Sequence, residues 1–338
     1  MAALPAACTG SESEATGTST PSESSAAPST TESSSTEPGS VTSTSSTSTS
    51  STSTPSTKAE AAPGECVGEL EGPETHRYRE PADTPGVDAD LVSLDVYRRT
   101  GASGCPVLVW VHGGGWTVGD KQGKAIDTKV AFAGELGAVL VSVNYRLVRP
   151  GSDLRWPTMG EDAAAAVAWV ADHAGELGVD PERIALMGHS AGAHLVATIG
   201  TNPDLLGGVA MSRDDLRCVV ALDSAAYDIT EAEVQAKELF EPAFGTDPAG
   251  LADASPMVQA FEHPSGMPDF LVVTRGARHR IAESREFASV LTEGGGSAQV
   301  VDARGYTHEE VNTAVGEDTD DVVTPPVRDF LTGCLAAG

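Results

Sequence analysis

Residues 184–194 read Ile184-Ala185-Leu186-Met187-Gly188-His189-Ser190-Ala191-Gly192-Ala193-His194. An apolar run of strand character breaks into Gly-x-Ser-x-Gly and then into the small-residue start of a helix. A strand that turns sharply into a helix brings backbone against backbone, and a side chain at either flank of the serine would obstruct that approach. The serine hydroxyl is then presented at a helix N-terminus, where the Ala191 amide and the helix dipole face a developing negative oxygen. Chance produces the five-residue pattern in Gly- and Ala-rich chains; the strand and helix around it give it meaning.

Upstream, the apolar run Pro106 to Val111 ends in His112-Gly113-Gly114-Gly115-Trp116. A Gly-rich turn is the plain reading of that stretch. Beside a serine turn it acquires a second one: glycines leave peptide N–H groups uncovered, so Gly113 and Gly114 can approach a carbonyl oxygen as it becomes negative.

With both motifs in place the sequence resembles the α/β-hydrolase superfamily. Within it the likeness is to esterases with a His-Gly-Gly-Gly motif, the hormone-sensitive-lipase-like, feruloyl-esterase-like and kynurenine-formamidase-like group. Trp116 to Lys121 is similar to that group's Gly-Asp-Lys continuation, Val143-Asn144-Tyr145-Arg146-Leu147 to its next strand, and Asp180 to Ile184 to the approach to its nucleophile. The resemblance covers roughly residues 90 to 335 and implies the fold and serine chemistry, but no particular substrate.

Periodicity agrees with that fold class. Leu91 to Tyr97 alternates as an edge strand; Val107 to Val111 and Val139 to Val143 are the continuous apolar runs of buried parallel strands, and Asp162 to Ala174 is an Ala-rich helix. Ile184 to Met187, Cys218 to Leu222, Phe270 to Val273 and Gln299 to Val301 continue the strand series. The expected architecture is a three-layer α/β/α sandwich on a mainly parallel sheet, with ligands beyond the carboxyl ends of the strands.

A serine hydroxyl needs a base, and the base needs an orienting acid; in this fold they follow in the order Ser, acid, His. His308, in a loop after the last strand, is the expected base; His194 lies one helical turn past Ser190, and His263 and His279 have no comparable setting. The acid departs from the family pattern: after Phe270 to Val273, where the family has an Asp, Gly276-Ala277-Arg278-His279 places a histidine. Asp223 at the end of the preceding strand is the preferred carboxylate, because a strand end is a rigid mount, and its Leu-Asp-Ser-Ala setting is similar to the acid segment of the pancreatic-lipase type. Glu283 is the rival, with Asp302 or a dyad behind it, and Asp228 is read as a capping carboxylate. His112 is expected as a buried structural donor, and Trp116 and Tyr145 as either acyl-pocket wall or core. No cofactor is implied, and neither the Cys/His spacing nor the cationic Arg278-His279-Arg280 suits a metal.

The N-terminal tract lacks the apolar surface to offset ordering entropy: from Thr9 to about Ala62 it is almost wholly Ser, Thr, Glu, Pro, Ala and Gly. It is expected to be a disordered stalk over 1–63, with one catalytic domain over 64–338. Leu4-Pro5-Ala6-Ala7-Cys8 is similar to the end of a bacterial lipoprotein signal whose charged and apolar parts are missing. The net charge is -28 over 338 residues, which opposes nucleic-acid binding and supplies no basic patch for an anionic membrane. Cys66, Cys105, Cys218 and Cys334 allow two disulfides in three connectivities. The expectation is an extracytoplasmic serine carboxylesterase, secreted or held by its N-terminus to a membrane or wall, acting on a small-molecule ester. Amide or aryl-formamide hydrolysis and a non-catalytic surface protein are the alternatives, and oligomeric state is not legible.

Overall fold

The computed structural model describes residues 66–230 and 234–336; the expected stalk and Cys8 lie outside them. Eight strands form one sheet: β1 (Glu71–Arg77), β2 (Ser93–Arg98), β3 (Cys105–Val111), β4 (Val139–Val143), β5 (Val179–His189), β6 (Leu216–Leu222), β7 (Asp269–Thr274) and β8 (Ala298–Asp302). Their order is β1-β2-β4-β3-β5-β6-β7-β8. Pairings β1–β2 and β2–β4 are antiparallel and all others parallel. The helices are α1 (Ile126–Leu136), α2 (Thr158–Asp172), α3 (Ala174–Leu177), α4 (Ala191–Thr201), α5 (Pro203–Gly207), α6 (Val234–Phe244), α7 (Pro248–Asp253), α8 (Pro256–Glu262), α9 (Arg278–Glu293), α10 (His308–Ala314) and α11 (Thr324–Cys334).

The strand period of two separates two apolar layers. Along β3, Val107, Val109 and Val111 pack with α2 and α4 residues such as Val167 and Leu195. Leu108 and Trp110 face the other way, toward Phe132 of α1 and Val327 and Leu331 of α11. All seven residues of β3 are buried, as a parallel strand covered by helices on both faces requires.

Two expectations are corrected. The strand read at Leu91 to Tyr97 as an edge is β2, which lies between β1 and β4. The true edge, β1, has the sequence Glu-Gly-Pro-Glu-Thr-His-Arg, five of its seven residues exposed, so it carries no hydrophobic alternation to announce it. The helix read from Asp162 begins earlier, at Thr158, and ends at Asp172; Asp162 is buried inside it as the acceptor for Arg79 and Arg146.

Of the three connectivities, the structure has Cys66–Cys105 and Cys218–Cys334. The first ties the start of the described chain to the start of β3, and the second pins the end of α11 to β6.

Lys129 of α1 is fully buried. Its ammonium donates to the Asn312 carbonyl of α10 at 3.0 Å and lies 4.4 Å over the Trp110 ring. Burial, only partly offset by the Glu309 charge, pushes it down to about 7. An unfolded lysine titrates near 10.4, so between about pH 7 and pH 10 the unfolded chain binds more protons and native stability rises with pH. Guanidinium unfolding should therefore show wild type gaining on Lys129→Met across that window, by up to about 1.4 kcal/mol per pH unit. Parallel pH dependences of the two proteins would refute this.

Candidate active site

The turn after β5 is built by close backbone approach. A Cβ on Gly192 would lie 2.0 Å from the Val111 carbonyl oxygen, and one on Gly188 would lie 2.4 Å from the Gly192 oxygen. Only glycine fits at either place, so α4 can start directly against the end of β3. Ser190 sits between them at φ 57° and ψ -117°, a left-handed conformation that a non-glycine residue adopts at a cost of roughly 1–3 kcal/mol. Its amide donates to the Leu222 carbonyl at 2.9 Å, which ties the turn to the end of β6.

Asp223, the next residue of that strand end, also has a positive φ, 52°. Its amide donates to the Val273 carbonyl of β7 at 2.8 Å. Its side chain is fully buried. His308, the first residue of α10, is positioned by a capping box in which the Thr307 hydroxyl accepts from the Glu310 amide and the Glu310 carboxylate accepts from the Thr307 amide. The imidazole bridges the two: Nδ1 is 2.5 Å from Asp223 Oδ2 and Nε2 is 2.8 Å from Ser190 Oγ. A carboxylate only accepts, so Nδ1 carries the proton, and the Nε2 lone pair faces the serine O–H.

The three residues chosen from sequence are therefore in one hydrogen-bonded chain. Asp223 has two further donors, Arg275 Nε on Oδ2 at 2.5 Å and Arg280 Nη2 on Oδ1 at 2.8 Å. Burial by itself raises the Asp223 carboxyl; the His308 hydrogen bond and the Arg280 and Arg275 cations more than reverse this, and the group ends below its ordinary range. The rivals are occupied elsewhere. Glu283 lies beside the backbone of Asp228 and Tyr227, away from His308, and burial raises its carboxyl. Asp302 pairs with Arg304 and Arg285. Asp228 accepts from the Thr230 amide and hydroxyl at 2.9 and 2.6 Å, the local cap expected of it.

Gly113 borders the nucleophile: a Cβ there would lie 3.1 Å from Ser190 Cβ. Gly114 follows at φ 117°, and Ala191 opens α4 immediately after Ser190. His112 turns its Nδ1 to the Gly113 carbonyl at 2.8 Å and stacks on Tyr145. Tyr145 and Trp116 are both core residues, 0% and 3% exposed; the Trp116 ring meets His194, Phe240 and Phe244. His194 is spent on the Ala254 carbonyl at 2.8 Å. His263 and His279 are exposed and away from this chain of contacts. Among the described residues no group of His, Cys, Asp and Glu is arranged to hold a metal ion.

Sequence reasoning missed three contributors. His189 donates from Nε2 to the His308 carbonyl at 2.9 Å, its ring 4.4 Å from the His308 ring. Burial, with the neighbouring His308, pushes it down to about 3, so it stays neutral. Its place beside the nucleophile was a visible signal. Arg275 and Arg280 gave none, because only the fold brings them to Asp223. A cavity of about 680 Å³ beside Thr117, Arg149, Arg155 and Glu241 is not lined by any of these groups; the chemistry is located by the hydrogen bonds.

Comparisons with known proteins find esterases of this fold. The BD-FAE family model matches residues 94–226. Esterase LipQ of Mycobacterium tuberculosis is 30% identical over 244 residues, 67% of this chain and 56% of LipQ. Carboxylesterase NlhH of the same species is 41% identical over 107 residues, 30% of this chain and 31% of NlhH. The chain thus spans just over half of the first relative's length and under a third of the second's. Among solved structures, an esterase of Pyrobaculum calidifontis superposes with a TM-score of 0.60 at 25% identity, covering 72% of this chain and 82% of that one. A truncated carbohydrate esterase from gut microbiota shares the fold with a TM-score of 0.63 at 17% identity, covering 79% and 97%.

The acid is testable by labelling. The second-order rate at which a fluorophosphonate modifies Ser190 should fall by at least about a hundredfold in Asp223→Asn, which leaves the imidazole in the wrong tautomer, and stay within about threefold in Glu283→Gln. The reverse order would make Glu283 the orienting acid.

Proposed function

The chain belongs to the α/β-hydrolase superfamily, among its esterases with a His-Gly-Gly-Gly loop, and from this we infer that it is a serine carboxylesterase of small or medium acyl esters. Ser190 Oγ attacks the ester carbonyl carbon while its proton passes to His308 Nε2. The amides of Gly113, Gly114 and Ala191 hold the oxygen as it turns negative. His308 then returns the proton to the departing alkoxide, leaving an acyl-serine. Water repeats the sequence: His308 takes its proton, the hydroxyl adds to the acyl carbon, and Ser190 leaves with the proton restored. Asp223 fixes the tautomer throughout and stabilises the transient imidazolium.

The observation that carries this reading is the continuous contact from Asp223 Oδ2 through His308 to Ser190 Oγ, at 2.5 and 2.8 Å. The non-catalytic alternative drew on the carboxylate missing after β7, and Asp223 supplies one from β6. Apolar acyl or alkyl groups suit the rim of the site: Val118 and Leu239 are 63% and 52% exposed, and they stand within about van der Waals reach of Gly114 and Gly115. An extracytoplasmic setting, secreted or lipid-anchored through Cys8, is part of the same proposal; the two disulfides support it, since such bridges persist in oxidising compartments.

Hydrolysis of p-nitrophenyl butyrate should fall by at least about a thousandfold in Ser190→Ala, with the matching anilide reporting any amide hydrolysis. A Ser190→Ala protein that cleaved the ester at the parent rate would end this reading.

A further inference from the structure

We propose that the cavity beside the glycine loop is a subsite for a carboxylate carried by the substrate, received by Arg149 and Arg155, so that the preferred esters bear an acid at some distance from the scissile bond. The proposal deepens the serine-esterase reading above and rests on it. The cavity holds about 680 Å³ and is walled by Thr117, by the segment from Val148 to Ser152 with Arg155, and by the end of α6 and the turn after it, a volume in the range of small-molecule sites. It abuts the glycine loop. The Thr117 amide donates to the Gly114 carbonyl at 3.2 Å, and the Val148 amide donates to the Trp116 carbonyl at 2.8 Å. Gly113 borders Ser190, and the four residues from there to Thr117 span at most about 14 Å. Val118 and Leu239 flank Gly114 and Gly115, so an apolar stretch runs along the loop that joins the nucleophile to the cavity.

Unspent positive charge marks the place. The chain has 49 Asp and Glu against 21 Lys and Arg, and carboxylates take up most of its cations: Asp162 holds Arg79 and Arg146, Asp223 holds Arg275 and Arg280, Asp302 holds Arg285 and Arg304, and Lys121 and Lys124 pair with Asp90 and Glu309. Among the described residues the side chains of Arg149 and Arg155 have neither a hydrogen bond nor an ion pair, although both border one cavity. Arg155 Nη1 lies 3.5 Å from the place a Cβ would take on Gly245, itself a wall residue. Glu241 is the one carboxylate of the lining, so the wall keeps a net charge of +1. Two guanidinium forks with no carboxylate of their own match a ligand carboxylate. Both side chains face solvent, so the gain is modest and sensitive to salt. The net charge of -28 works the other way, repelling an anionic ester from the molecule as a whole.

The experiment compares mono-p-nitrophenyl suberate with its ω-methyl ester, reading p-nitrophenolate from both, and 4-(butanoyloxy)phenylacetate with its neutral amide, reading the released phenol. The first pair puts the carboxylate on the acyl side and the second on the alcohol side. In one pair the acid-to-neutral ratio of kcat/KM should be about ten at low salt and fall toward one in about 0.5 M NaCl. Arg149→Gln and Arg155→Gln should each lower that ratio about threefold. The double variant should bring it below one, since only the overall negative charge then acts. Glu241→Gln should raise it about two- to threefold by removing the opposing charge, a gain that mere disturbance of the wall would not give. If one arginine variant does not fold, the other and Glu241→Gln carry the test. Wild type preferring the neutral ester in both pairs, or a ratio unmoved in the double variant, would overturn the subsite and leave the esterase reading intact. A wild-type protein that cleaves none of the four esters and does not react with a fluorophosphonate would overturn both.

Discussion

The buried carboxylate of Asp223 is where the architecture and the chemistry meet. Its strand supplies its position, the β7 carbonyl of Val273 fixes its amide, and three donors from three later segments converge on its two oxygens. An isolated buried carboxylate would be prohibitively costly in a low-dielectric interior. Each donor therefore depends on the others being present: the end of β7, the first turns of α9 and the start of α10 are organised around one negative charge. Ser190 joins the same assembly through the Leu222 carbonyl, one residue before that acid.

The molecule uses a similar device a second time. Asp162, fully buried in α2, accepts from Arg79 Nε at 2.6 Å and from Arg146 Nε and Nη2 at 2.7 Å. There the ion cluster joins the segment after β1, the segment after β4 and a helix, and no imidazole is among its hydrogen-bond partners in the described residues. What differs at Asp223 is the third partner.

Much of this was legible in the chain. Local sterics announce the serine turn, because Gly188 and Gly192 are required by backbone approach; continuous apolar runs announce the buried strands, and the order Ser, acid, His selects His308. Asp223 was preferred by weighing a rigid strand end against a helix surface, and its carboxylate is the one that meets the His308 ring. What escaped has a common character. The edge strand β1 is polar and broken by Gly72 and Pro73, so period-two reasoning has nothing to read. The cysteine pairing is one of three that the spacing permits equally. Arg280 was read only as positive charge beside His279, and Arg275 was not singled out; 52 and 57 residues of chain separate the two from their carboxylate, and only the parallel register of β6 and β7 closes that gap.

The bridge between Cys66 and Cys105 pins the first described residue of the chain to the far end of the strand that leads to the glycine loop. Cys105 begins β3, and the glycine loop beside Ser190 follows the other end of that strand, six residues and about 20 Å away. The glycine loop and Ser190 stand at the other end of β3, so the bridge closes the end of the sheet that the contacts among Asp223, His308 and Ser190 leave alone.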